Sequence, residues 1–203
     1  FVFCALSNAY KITSAEFDIW MRLLQATQGS VLWLLQSNKW VLKNLMIEAA
    51  KRGVDPKRLV FAAHTEHAQY LARFQRADLY LDTFIYNAGA TASNALWAGL
   101  PVLTKRGQGY TARMAASLLS ALELPELITD TEQAYEALAL ELAATPARLA
   151  GLKAKLAANR MTTPLFDTEA FTRHLEDGYQ QAYDRFFQGK APDVIEVPSR
   201  ALS

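Results

Sequence analysis

From residue 1 to about residue 130, short and continuously apolar runs alternate with stretches of helical periodicity. No other feature limits the fold as much. A strand covered by helices on both faces has no wet side, so it reads as an unbroken apolar run, and the alternation predicts a parallel sheet built from βαβ units. The expected strands are 2–6, 31–35, 59–62, 79–82, 101–104 and 127–129. The first helix is announced by Thr13-Ser14-Ala15-Glu16, a capping-box spacing, followed by Phe17, Trp20, Leu23 and Leu24 on one stripe. A second covers about 40–52 and stops at Gly53, with Pro56 soon after. Thr65 is the expected cap of a third that runs toward Arg76. Beyond residue 130 the strands stop and 131–143, 147–159 and 168–188 read as amphipathic helices punctuated by Pro146 and Pro164. The fold class is therefore α/β, a Rossmann-like parallel sheet with helices on both faces, followed by C-terminal helices and a surface tail over 191–203.

A chain of 203 residues with 51% hydrophobic content can bury one sizeable core. Its 21 basic and 20 acidic residues nearly cancel, so no broad field favours nucleic acid or an anionic membrane, and neither is expected as a partner. Any anion site must be local. The single cysteine, Cys4, forms no internal disulfide and suits a reducing compartment, which with the absence of a visible anchor or signal segment predicts a cytoplasmic protein. The chain opens directly in a buried-type strand without Met. A missing N-terminal portion is expected.

Ligands of open parallel sheets collect beyond the carboxyl ends of the strands, which directs attention to three places. After the first strand, Lys11 can neutralise a phosphate and Asn8 can offer an amide donor; the alternative is a solvated loop lysine. Where a helix should succeed the fourth strand stands Gly89-Ala90-Thr91-Ala92-Ser93. Small residues there let a phosphate or diphosphate approach unpartnered backbone N–H groups, or else they let the helix pack tightly on a neighbour. The stretch is neither a Walker A loop nor a G-x-G-x-x-G fingerprint. The third place is His64-Thr65-Glu66-His67 with Tyr70 and Arg73. No third ligand suits a metal, and none is expected; His67, Tyr70 and Arg73 share a helix face that can bracket a base and ribose, or that is an ordinary half-exposed face.

The stretches "FVFCALSNAYKIT", "SVLWLLQS", "RLVFAAHTEHAQYLARFQRADLYLDTF", "NALWAGLPVLT", "YTARMAASLL" and "TTPLFDTEAFTRHLEDGYQQAYDRFFQGKAPD" resemble, in order, the C-terminal half of the catalytic region of O-GlcNAc transferases, most closely the bacterial members. The likeness spans nearly the whole chain. It implies a GT-B glycosyltransferase in which residues 1–163 form the nucleotide-sugar-binding C-terminal lobe and 164–190 a helix packing back on an N-terminal lobe. Tetratricopeptide repeats that bind a protein or peptide acceptor would precede that lobe. By the same resemblance Lys11 lies on the donor diphosphate with Asn8 nearby, Thr91 lies at the diphosphate-binding helix start, and His67, Tyr70 and Arg73 surround uridine. The backbone near Thr65 reads the uracil edge.

Gly89-Ala90-Thr91 stands where the family usually has His-Thr-Thr, Asn94 where it has aspartate, and His67 where it has lysine. These departures remove contacts to donor phosphate and ribose, each worth about 1–3 kcal/mol where buried and charged. The implied reaction is inverting transfer of N-acetylglucosamine from UDP-GlcNAc to Ser or Thr hydroxyls, with Lys11 and the helix start at Ala90 and Thr91 stabilising the departing UDP and no cofactor or metal involved. No residue here stands out as a general base, so the chain alone is expected to bind nucleotide without turning over. Another sugar or acceptor on the same fold, or a noncatalytic nucleotide-sugar-binding module, are the competing readings.

Overall fold

The structure, a computed structural model, describes residues 1–198. Six strands, β1 (Val2–Ala5), β2 (Val31–Leu35), β3 (Leu59–Ala62), β4 (Leu79–Leu81), β5 (Val102–Lys105) and β6 (Ile128–Thr129), pair in parallel in the order β3-β2-β1-β4-β5-β6. Every expected strand is present, its ends shifted by no more than a residue. The shift at β5 has a simple origin: Pro101 accepts from Tyr80 N–H at 2.9 Å through its carbonyl but has no N–H to donate, so the ladder starts at Val102.

Eight α-helices accompany the sheet among the described residues: α1 (Ser14–Ala26), α2 (Lys39–Lys51), α3 (His67–Arg73), α4 (Ala90–Trp97), α5 (Met114–Ala121), α6 (Glu132–Ala144), α7 (Pro146–Asn159) and α8 (Thr168–Phe187). α2 starts at Lys39 because the Asn38 side chain accepts from Trp40 and Val41 N–H, both at 3.0 Å. The expectation for α3 needs correction. Glu66, not Thr65, occupies its N-cap, the Thr65 hydroxyl bonds instead to the Gln69 side chain, and after Arg73 the helix tightens into a 3₁₀ turn over Phe74–Arg76. α5, which the sequence pattern does not delimit, buries Ala115, Ala116 and Leu119 and forms the crossover from β5 to β6.

Successive right-handed crossovers lead from β1 toward β3 in one direction and from β4 toward β6 in the other, which sets α1 and α2 on one face and α4 and α5 on the opposite one. α6 returns to the α1 face, where Arg22 forks onto Glu136 at 2.6 and 2.8 Å. Between the layers lie the wholly buried Phe3, Trp20, Phe74, Tyr80 and Tyr135. Buried Tyr and Trp require partners for their polar tips. Trp20 Nε1 donates to the Tyr135 hydroxyl at 3.4 Å and that hydroxyl donates to the Asp82 carbonyl at 3.1 Å, tying α1 and α6 to the end of β4.

α8 stands apart from this core. Only Ala170 is buried, while Phe171, Leu175, Tyr179, Tyr183 and Phe187 recur every fourth residue and are exposed. Residues 191–198 have no regular secondary structure and turn back along α8, where Arg185 Nε donates to the Ala191 carbonyl at 2.6 Å and Arg185 Nη2 to Asp193 at 3.2 Å. The remainder of the expected tail, 199–203, lies outside the described residues.

Tyr135→Phe removes both the acceptor of Trp20 Nε1 and the donor to Asp82 without emptying the core. A loss of about 1–2 kcal/mol is expected, seen in urea unfolding as a lower midpoint at unchanged slope; an unaltered midpoint would show that the hydroxyl bridge contributes nothing.

Candidate functional site

In a sheet of order β3-β2-β1-β4-β5-β6 the connections reverse direction between β1 and β4, and the crevice above these two strands is where such sheets take ligands. β1 leads into a 3₁₀ turn over Ala9–Lys11, and β4 leads through residues 82–89 to α4. Two of the three places singled out in the sequence thus flank one crevice.

Residues 83–88 have no ladder partner, so their polar groups need others. Buried Glu16 accepts from Phe84 N–H at 2.7 Å through Oε1 and from Thr13 N–H at 3.0 Å through Oε2. Buried Asp82 accepts from Ala88 N–H and from the Thr104 hydroxyl, both at 2.7 Å. The Thr83 hydroxyl donates to the Tyr86 carbonyl at 2.7 Å, Asn87 Nδ2 to the Thr83 carbonyl, Asn87 N–H to the Thr111 carbonyl at 2.9 Å, and the Thr111 hydroxyl to the Ile85 carbonyl at 3.0 Å. The loop is fastened along its whole length. Lys11 reaches it from the other side, donating to the Asn87 carbonyl at 3.0 Å with its ammonium 3.9 Å from the centre of the Tyr86 ring.

The run of small residues has two faces. Ala92 and Ala95 are wholly buried, so close packing explains that half of it. The other half is open: Ala90 is exposed, Thr91 and Ser93 are half-buried, and a Cβ added at Gly89 would meet only Met114 Cγ at an ordinary 3.5 Å. No side chain caps α4, so the N–H groups of its first turn face outward without the usual oxygen.

Beside α4 lies a cleft of about 230 Å³ lined by Leu6, Asn8, Leu35, His64, Thr65, Tyr70, Arg73 and Thr91. It brings together five of the predicted residues, Asn8, Thr65, Tyr70, Arg73 and Thr91. His67 lies against Tyr70 with ring centres 6.2 Å apart. Burial raises the Tyr70 pKa above its usual value, opposed by the polar side chains of Thr91 and Asn94 beside it, so Asn94 belongs to the same cluster. Arg73 Nη1 donates to the Ala63 carbonyl at 2.8 Å and holds the β3–α3 loop over the cleft. Lys11, Gly89 and Ala90 do not line this cleft; Lys11 stands against Asn87 and Tyr86, and Gly89 and Ala90 lead into Thr91. His64 was weighed in the sequence only as a metal ligand, yet it lines the cleft, and among the described residues no group of three or more His, Cys, Asp or Glu side chains is placed to hold a metal. Tyr86 and Asn87 were not singled out at all. Their position a few residues past β4 was the available signal.

Fold and crevice define a Rossmann-type lobe with a polar cleft at its switch point. The model of glycosyl transferase family 41 matches residues 1–175, and the chain belongs to that family. It is 33% identical over 194 residues to the UDP-N-acetylglucosamine–peptide N-acetylglucosaminyltransferase of Caenorhabditis elegans, covering 96% of this chain but 17% of that protein. A solved mutant O-GlcNAc transferase of Thermobaculum terrenum superposes with a TM-score of 0.86 at 30% identity, over 94% of this chain and 37% of the other. The chain therefore spans only a minor part of the relatives that it matches. No helix among the described residues is long and apolar enough to cross a membrane.

Burial pushes the Asp82 carboxyl up from 3.8 to about 7, against hydrogen bonds from Ala88, Thr104 and Thr83 and the attraction of Lys11. A carboxyl whose folded pKa is raised binds more protons in the native than in the unfolded state between the two values. Its contribution to stability is therefore present at low pH and lost as pH rises from about 4 through 7. Chemical denaturation of wild type and Asp82→Asn between pH 4 and 8 is expected to show their difference shifting toward the wild type as pH falls, by a few kcal/mol at most. A difference independent of pH would mean that Asp82 titrates normally.

Proposed function

We propose that this lobe binds the UDP portion of UDP-GlcNAc and serves an inverting transfer of N-acetylglucosamine to Ser or Thr hydroxyls of proteins. The observation that carries the reading is Lys11 on the Asn87 carbonyl, in the loop that leads into the uncapped start of α4 at the β1/β4 switch point, beside a cleft that already holds Asn8, Thr65, Tyr70, Arg73 and Thr91. Kinship with transferases whose names specify UDP-N-acetylglucosamine and peptide supports the donor and acceptor classes.

In this reading the uracil and ribose occupy the cleft, bracketed by His67, Tyr70 and Arg73, with the backbone near Thr65 meeting the uracil edge. The diphosphate lies outside it, over Gly89, Ala90 and Thr91, with Asn8 and Lys11 on its flank and Asn94 facing the ribose. A lysine ammonium has three N–H donors; the Asn87 carbonyl takes one and leaves the others for phosphate oxygens. As the acceptor oxygen attacks the anomeric carbon, the bond to UDP breaks and its electron pair goes to the distal phosphate. Lys11 and the N–H groups of α4 stabilise that growing charge. No metal or cofactor takes part. The base that receives the acceptor proton lies outside this lobe, on an N-terminal catalytic lobe that is preceded by tetratricopeptide repeats and against which the exposed stripe of α8 packs. Residues 1–163 are then the nucleotide-binding unit of a cytoplasmic enzyme.

A different donor sugar is the second reading, favoured by the neutral Asn94 amide beside Tyr70. Calorimetric titration of UDP into wild-type protein and Lys11→Ala tests the site common to both. Binding weakened about 10- to 100-fold in the variant is expected, the loss of one or two charge-assisted hydrogen bonds. Equal binding by the two proteins would remove Lys11 from the site, and no binding by the wild type would refute the donor-site reading.

A further inference from the structure

A second cleft opens farther along the same edge of the sheet, where β5 passes into α5. It measures about 480 Å³, and Arg106, Tyr110, Arg113, Met114, Ser117 and Ser120 are among its lining. The loop between the two arginines is closed on itself. Gly107 N–H donates to the Ala112 carbonyl at 2.7 Å, Ala112 N–H to the Gly109 carbonyl at 3.1 Å and Arg113 N–H to the Tyr110 carbonyl at 3.2 Å. A Cβ at Gly107 would stand 2.6 Å from that of Ala112, so only glycine lets the ends of the loop come this close. Arg106, just before the pinch, and Arg113, just after it, are thereby brought to one cleft.

The two guanidiniums are unequally committed. Arg106 donates to Asp130 through Nε at 3.0 Å and Nη2 at 2.8 Å, in an ion pair whose side chains are 54% and 67% exposed. A pair so open to water contributes little and gives way readily to another carboxylate. Arg113 makes no hydrogen bond, ion pair or ring contact with any described residue. No carboxylate is among the side chains that line the cleft, so the charge of Arg113 is unopposed within it. Exposed arginines scattered singly are ordinary, but two gathered by a pinned loop, one of them without a partner, form a receptor for anionic groups.

The shape of the cleft restricts what those groups belong to. Arg106, Tyr110, Arg113, Ser117 and Ser120 are all exposed, whereas small-molecule sites enclose most of their ligand. Arg113, Ser117 and Ser120 succeed one another at helical spacing and mark out a strip of about 10 Å along α5, the reach of about three residues of extended chain. A nucleic acid would call for a longer row of cations and a basic chain, and this one has 21 basic and 20 acidic residues. We propose that the cleft docks an acidic stretch of a partner polypeptide, whose carboxylates lie on Arg106 and Arg113 and whose backbone passes Tyr110 and runs along Ser117 and Ser120. A carboxylate is the group to which Arg106 already donates in Asp130, and the planar fork of a guanidinium matches it. None of these residues belongs to the β1/β4 crevice, so the docking surface stands or falls separately from the donor site.

Fluorescence anisotropy tests it with a labelled Gly-Ser peptide carrying consecutive glutamates, the same peptide with glutamines in their place, and a labelled single-stranded oligothymidine. The proteins are wild type, Arg113→Ala, Arg106→Ala, Asp130→Asn and, as a control for the loss of one exposed charge elsewhere, Lys57→Ala, each verified as folded by circular dichroism. The acidic peptide is expected to bind the wild type about tenfold more tightly than the glutamine peptide. Either arginine variant weakens it about three- to tenfold, while Lys57→Ala leaves it unchanged. Asp130→Asn releases Arg106 and is expected to tighten binding about two- to fivefold, a gain that damage to the fold would not produce. Failure of the wild type to bind the acidic peptide, equal binding of the two peptides, or a loss in Lys57→Ala as large as in Arg113→Ala would overturn the docking surface. Tighter binding of the oligothymidine than of the acidic peptide would overturn a polypeptide as its occupant.

Discussion

Two buried carboxylates hold the segment on which the site is built. Glu16 comes from the first turn of α1 and Asp82 from the end of β4, and between them they take Phe84 N–H, Ala88 N–H and the Thr104 hydroxyl. Without such acceptors residues 83–88 would be an irregular loop with unsatisfied N–H groups against the core, a costly arrangement. Glu16 also accepts from Thr13 N–H, so the start of α1 and the loop after β4 share one anchor. The consequence is a loop whose carbonyl at Asn87 is fixed well enough to position the Lys11 ammonium.

The charges divide accordingly. The Asp82 carboxyl is turned inward onto Ala88 and Thr104 and away from the crevice. The groups that face the crevice are positive or donating: the Lys11 ammonium, the uncapped first turn of α4, and the guanidinium of Arg73 beyond its bond to Ala63. A chain with 21 basic and 20 acidic residues has no broad field, so the positive and donating character of this crevice is local.

The sheet was legible in the sequence because its strands are continuous apolar runs, as doubly covered strands are, although β2 alternates half-buried and buried residues and Val60 of β3 is exposed. α1 was legible because a capping box is a local signal. α5 was not, since its Ala-rich run has no distinct start signal and its N-cap, Arg113, makes no side-chain cap. The Thr65 cap failed because capping depends on backbone direction, and the chain enters α3 one residue later at Glu66. Asn8, Thr65, Tyr70, Arg73 and Thr91 were legible from their places just beyond strand ends, because parallel strands deliver all their exits to one edge. The roles of Glu16 and Asn87 depend on contacts across 68 and 76 positions, which no local pattern encodes.

Where polar groups are buried this lobe is nearly complete: among the described residues Asn87 Oδ1 and Arg160 Nε are the buried side-chain atoms left without a partner. Its apolar surface is not complete in the same sense. α8 leaves Phe171, Tyr179, Tyr183 and Phe187 in water on a helix long enough to bury them, and the Tyr10, Ile85 and Tyr86 rim does likewise at the crevice. Exposed aromatics on rigid backbone are surfaces whose favourable burial is still to come. The helix stripe runs along a helix of 20 residues, whereas the rim is confined to two rings beside a cation.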